Sequence, residues 1–89
     1  MKLKLAISEA CEKLKKNNIK SALIDSELLL SKAINRSREF IILNSKHNVN
    51  EIDYIYFQEL VNERLKGKPI AHITGKKYFW KYEFELNDK

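Results

Sequence analysis

Two glycines, one proline and one cysteine in 89 residues argue against a loop-rich or cross-linked fold. Cys11 stands alone, so no internal disulfide can form, and nothing suggests a secreted scaffold. Two glycines cannot build a Gly-rich phosphate loop. No apolar run approaches the ~20 residues of a membrane-spanning helix. The opening Met1-Lys2-Leu3-Lys4-Leu5 starts like a signal peptide, but Glu9 and Glu12 interrupt it before an h-region develops. The expected setting is a reducing cytoplasm.

A hydrophobic content of 44% with 33% charged residues fits one small folded domain. A chain of this size buries only about 60–65% of its unfolded surface, so its stability is modest. The net charge of +5 is uneven. Residues 1–20 carry six lysines against two glutamates, residues 21–66 six basic against seven acidic side chains, and residues 67–89 five lysines against three acids. The positive ends fit a partner with acidic patches or phosphates. A solvated lysine surface explains them as well, and the interleaving of Lys with Glu favours that reading.

Apolar spacing predicts five helices. The first runs from Leu3 to Lys16, with Leu3, Ile7, Cys11 and Leu14 at helical spacing and Ala6 and Ala10 beside them. Glu9–Lys13 and Glu12–Lys16 are favourable i,i+4 pairs. Asn17-Asn18 suits a helix stop, because Asn tolerates a left-handed backbone. Ser21 is the expected cap of the second helix, which ends near Ile34. Its apolar residues Leu23, Ile24, Leu28, Leu29, Leu30, Ala33 and Ile34 exceed one stripe, so it is expected to be the central helix. Ser37 caps a short third helix, Arg38 to Leu43, anchored by Phe40, Ile41 and Leu43. Asn50 caps the fourth, with Val49 and Tyr54 as a staple and Phe57, Leu60, Val61 and Leu65 as its apolar stripe. Gly67 ends it.

Pro69 at the first position and Gly75 past the end delimit a fifth, short helix. After Gly75 the period changes to two. Tyr82, Phe84 and Leu86 alternate with Glu83 and Glu85, and Tyr78-Phe79-Trp80 precede them. The expectation is an all-α five-helix bundle over residues 1–75, followed by a β-strand or hairpin connector over residues 76–89.

No nucleophile–base pair is visible. Cys11 lies on an apolar stripe and reads as a small core residue. His47 and His72 are far apart in sequence, with no Cys or carboxylate at ligand spacing. Asp25 and Glu27 fall on different helix faces, where dipole and solvation roles suffice. Arg36 and Arg38 flank the Ser37 cap and are candidate contacts for an acidic partner. Tyr78, Phe79, Trp80, Tyr82 and Phe84 with Lys76, Lys77 and Lys81 have the composition of a base-stacking platform. An interface with an adjoining domain accounts for them equally. On residues alone the chain is a binding or accessory module with no catalytic, cofactor-binding or metal site. A stand-alone nucleic-acid-binding or protein-interaction module is the alternative.

The segment Gly67-Lys68-Pro69-Ile70-Ala71-His72-Ile73-Thr74-Gly75, then Tyr78-Phe79-Trp80, resembles the connector of the HemK/PrmC family. That family pattern is Gly-Glu-Pro-x-Ala-Tyr-x-x-Gly, a spacer, then Phe-Trp-Gly and an alternating strand. Ser21-Ala22-Leu23-Ile24-Asp25-Ser26-Glu27-Leu28-Leu29-Leu30 resembles the family's Ser-x-Arg-x-Asp-Ala-Glu-Leu-Leu-Leu helix. Asn35-Arg36-Ser37-Arg38 and Glu63-Arg64-Leu65-Lys66-Gly67 follow in the family's order. His72 stands where Tyr is usual, Lys81 where Gly is, Lys68 where an acid is, and Leu23 where Arg is.

Members of this family methylate the glutamine of the Gly-Gly-Gln motif in peptide chain release factors, with S-adenosylmethionine as methyl donor. The resemblance implies the N-terminal substrate-recognition domain of such an enzyme. The family's Pro-Arg-x-Glu-Thr loop, glycine-rich cofactor loop and Asn-Pro-Pro-Tyr motif do not occur in these 89 residues. The implied partners are the release factor and the enzyme's own C-terminal catalytic domain. Nucleic acid and membrane are not implied. Gly67, Pro69, Gly75, Phe79 and Trp80 are then the interdomain connector.

Overall fold

The structure, a computed structural model, describes residues 1–75. They form five helices: α1 (Leu3–Lys16), α2 (Ala22–Ile34), α3 (Arg38–Leu43), α4 (Glu51–Leu65) and α5 (Ile70–Gly75). The all-α expectation holds over this range. The expected strand or hairpin, with Phe79 and Trp80, lies outside the described residues.

Three of the helices end in the same way. Asn18 (φ 64°), Asn35 (φ 59°) and Gly67 (φ 98°) turn the chain into the left-handed region. The amides that follow then reach back to orphan carbonyls: Ile19 N–H to Leu14, Arg36 N–H to Ser31 and Lys68 N–H to Glu63. Ile19 is thereby drawn against the core beside Leu14.

The helix starts differ. The Ser37 hydroxyl accepts from Phe40 N at 3.1 Å, and the Asn50 amide oxygen accepts from Asp53 N at 2.8 Å, as their positions predict. Ser21 does not cap α2. Its hydroxyl donates instead to Asp25 Oδ2 at 3.0 Å. The start of α1 has no capping side chain. Its first amides, Leu3 and Lys4, donate to the carbonyls of His47 and Ser45, and Lys2 bridges Asn48. The 45–48 loop is thus the N-terminal cap of α1, a long-range solution to a local need.

α2 is central, packing against α1, α3, α4 and α5. The Asp25–Arg64 pair joins the start of α2 to the end of α4. The core draws on Leu3, Ala6, Ala10 and Leu14 of α1, Leu29, Leu30 and Ala33 of α2, and Phe57, Leu60 and Val61 of α4. Ile41, Val49 and Ile73 extend it to α3, the loop before α4 and α5. Ala6 and Ala10 occupy the centre of the α1 contact, and Ile7 and Cys11 lie half-buried at its margin. Small side chains let the helix axes approach closely, so the alanine side of the stripe wins over the bulkier one.

Some apolar expectations are corrected. Leu23 and Ile24 point to solvent at the start of α2, where only one side of the helix is covered. Leu43 is 80% exposed and anchors nothing, since residues two apart on a helix face opposite sides and Ile41 takes the inward one. Pro69 precedes the first residue of α5 rather than occupying it, and Gly75 is that helix's last residue with no positive φ. Among the described residues no helix is long and apolar enough to cross a membrane.

Candidate functional site

Two groups of expected site residues approach α2 through different elements. The first is the surface of α3. Arg36 places its guanidinium carbon 5.1 Å from the centroid of the Phe40 ring. His47 meets the same ring edge-on, at 5.1 Å and 81°. Phe40 thus contacts both a guanidinium and an imidazole. The Ser31 hydroxyl donates to the Arg36 carbonyl and fixes the backbone beneath. Arg38 does not share this cluster; its Nε pairs with Glu27 at 2.9 Å and ties α3 to α2. Ile42 and Leu43 lie exposed on the same short helix. An apolar, cation-rimmed surface of this kind suits a protein partner with acidic and apolar side chains.

The second group is the turn from α4 into α5. Gly67 takes its positive φ with no atom within 4 Å of where a Cβ would stand, so backbone conformation alone calls for glycine. The Pro69 carbonyl accepts from His72 and Ile73 N–H and opens α5. Thr74 Oγ1 donates to Ile70 O, and Lys32 Nζ donates to Thr74 O at 3.2 Å. Burial lowers the Lys32 ammonium from its ordinary pKa. Lys66 and Lys68 hydrogen-bond Glu63 and hold its carboxyl below the usual carboxylate value.

Sequence reasoning missed the residues that organise this turn. Asp25 is 2% exposed rather than solvated. Arg64 donates from Nε to Asp25 Oδ2 at 2.9 Å and from Nη1 to the Lys68 carbonyl at 2.9 Å. One guanidinium thus bonds α2 and the α5 entrance at once, which its planar fork permits. A signal was available: Asp25 falls three residues after Ala22 and four before Leu29, on the buried stripe of α2. A carboxylate there demands a partner.

The remaining candidates stay dispersed. Cys11 is half-buried on an open groove of about 410 Å³ that Ile7, Leu23, Lys4 and Lys15 also line. His72 is exposed on α5. Tyr54 O–H donates to Glu9 at 2.7 Å across α1 and α4, and that bond raises the phenol above its ordinary pKa. Among the described residues no cluster of three or more His, Cys, Asp or Glu side chains is placed to hold a metal ion.

Residues 6–75 match the family model described as the PrmC N-terminal domain. A bifunctional methyltransferase of Rickettsia felis is 36% identical over 85 residues, covering 96% of this chain and 16% of the relative. A release factor glutamine methyltransferase of Leptospira interrogans is 38% identical over 77 residues, 86% of this chain and 27% of the relative. Another, from Clostridium acetobutylicum, is 33% identical over 86 residues, 97% of this chain and 30% of the relative. The chain spans less than a third of the length of these relatives. No solved structure gives a significant match. With the match running over nearly the whole described bundle, the chain belongs to the PrmC N-terminal domain family, the N-terminal part of HemK/PrmC enzymes.

Proposed function

We propose that this chain is the substrate-recognition domain of a cytoplasmic release factor glutamine methyltransferase, and that it docks the release factor while the chemistry takes place elsewhere. The family match over residues 6–75, joined to relatives named for that reaction, is the observation that carries the reading. Residues 1–75 form the recognition bundle. We assign residues 76–89 to the connector toward a C-terminal methyltransferase domain, with Gly67, Pro69 and Gly75 shaping its approach and Phe79 and Trp80 among its residues. A protein substrate benefits from a docking surface remote from the reacting amide, because binding energy gained there helps position the reacting group.

The α3 surface is our candidate docking face. Arg36 stays exposed above Phe40, and Ile42 and Leu43 offer apolar area. Arg38 is a weaker candidate, because Glu27 already holds it.

The methyl donor of such an enzyme is S-adenosylmethionine. We assign that cofactor to the catalytic part of the parent enzyme; Asp25, the buried carboxylate among the described residues, is bonded to Arg64 and Ser21.

Calorimetric titration of the chain with a release factor tests the docking role. We expect weak, saturable binding that the I42S/L43S double variant abolishes. Full-strength binding by that variant would move the docking face off α3. Binding of RNA or DNA instead, with a steep salt dependence, would favour a nucleic-acid module.

A further inference from the structure

The geometry points to the Arg64–Asp25 pair as a latch on α5, one that holds this short helix in place and can open while α1–α4 stay folded. This goes beyond substrate docking and does not depend on which partner the bundle binds.

Six residues are too few for a helix to persist by itself, since isolated helices shorter than about 12–15 residues are marginal in water. α5 must be held. Its buried side chain is Ile73, with Ile70 half-buried. Among the described residues, polar bonds tie it at both ends. At the entrance, Arg64 Nη1 donates to Lys68 O; at the exit, Lys32 Nζ donates to Thr74 O. Arg64 is in turn oriented by Asp25, and Asp25 by the Ser21 hydroxyl. The chain of bonds thus runs from the start of α2 through the end of α4 to the mouth of α5.

The most deeply buried apolar side chains lie outside α5. Leu3, Leu14, Leu29, Leu30 and Phe57, the largest apolar side chains in the bundle's deep core, all come from α1, α2 and α4. α5 packs on α2 and α4 from outside. An element with one deep apolar anchor and polar ties at both ends is the kind that opens first, below the free energy of global unfolding.

Arg64 is a positioning residue here, and its fork is what matters. In R64K a single ammonium keeps the charge beside Asp25 but cannot serve Asp25 and Lys68 O in the same planar geometry. The test is native-state hydrogen exchange on the full 89-residue chain. The probes are the His72 and Ile73 amides, both bonded to Pro69 O, against the core amides of Ala10 and Leu30. We expect R64K to lower protection at His72 and Ile73 at least tenfold and to leave Ala10 and Leu30 within twofold of the parent chain. S21A, which removes only the hydroxyl behind Asp25, is expected to shift the same two amides in the same direction by less. Equal loss of protection throughout, or failure of R64K to fold, would make the pair a global stabiliser and overturn the latch. Unchanged protection at His72 and Ile73 in R64K would overturn it as well.

Discussion

The two glycines offer a matched pair of substitutions. Among the described residues, and chain neighbours aside, neither has an atom within 4 Å of where a Cβ would stand. They differ in backbone: Gly67 has φ 98° and Gly75 has no positive φ. Replacing either by alanine removes the same freedom from the unfolded chain, which stabilises by about 0.4–1 kcal/mol when the native conformation tolerates the change. Gly75→Ala should keep that gain. Gly67→Ala should lose it, because an L side chain in the left-handed region costs about 1–2 kcal/mol. A φ of 98° also lies well past the αL minimum near about 57°. The unfolded-state contribution cancels in the comparison, so the two variants should differ by about 1–2 kcal/mol. With a urea slope of about 1 kcal/mol/M for a chain this small, the midpoints should separate by about 1–2 M in a far-UV circular dichroism titration. Equal midpoints, or a Gly67→Ala variant more stable than Gly75→Ala, would refute the view that φ alone calls for glycine at the end of α4.

Other outcomes follow from the packing and the charges. Ala10→Leu forces bulk into the α1 contact and should destabilise by about 1–3 kcal/mol in the same titration, whereas Leu43→Ser, on an exposed side chain, should change stability by less than about 0.5 kcal/mol. Tyr54 has its folded pKa raised by Glu9, so its contribution is complete below the ordinary phenol value of 10.0 and is lost as pH rises through the folded one. Tyr54→Phe should therefore flatten the alkaline fall in stability. Glu63 has its folded pKa lowered by Lys68 and Lys66, so its contribution is complete above the ordinary value of 4.5 and is lost as pH falls through the folded one. Glu63→Gln should flatten the acid limb, an effect reduced by the partial exposure of these side chains and by salt.

Helix positions were legible because their punctuation is local. Ser37, Asn50 and Gly67 act on amides or carbonyls within a few residues, and each does what its type suggests. The cap of α1 was not legible, because its acceptors come from residues 45 and 47, brought near only by the fold. Hydrophobicity pointed to Ile7 and Cys11 as core, but contact distance between helices chose Ala6 and Ala10, and that choice depends on the partner helix. Ser21 looked like a cap because serine usually is one; Asp25, four residues on, competed for its hydroxyl. The Asp25–Arg64 pair spans 39 positions, and no local pattern links its members. Of the candidate site, Arg36 and Arg38 were visible as charges near a cap. The division between them was not, because Glu27, eleven positions before Arg38, becomes its partner only through the fold.

The docking role is tested most directly by titrating the isotope-labelled chain with a release factor and following its amide resonances. We predict progressive shifts at Arg36, Phe40, Ile42, Leu43 and His47, with the Ala10 and Leu30 amides unmoved. A titration to high concentration that moves no resonance on α3 would contradict the account.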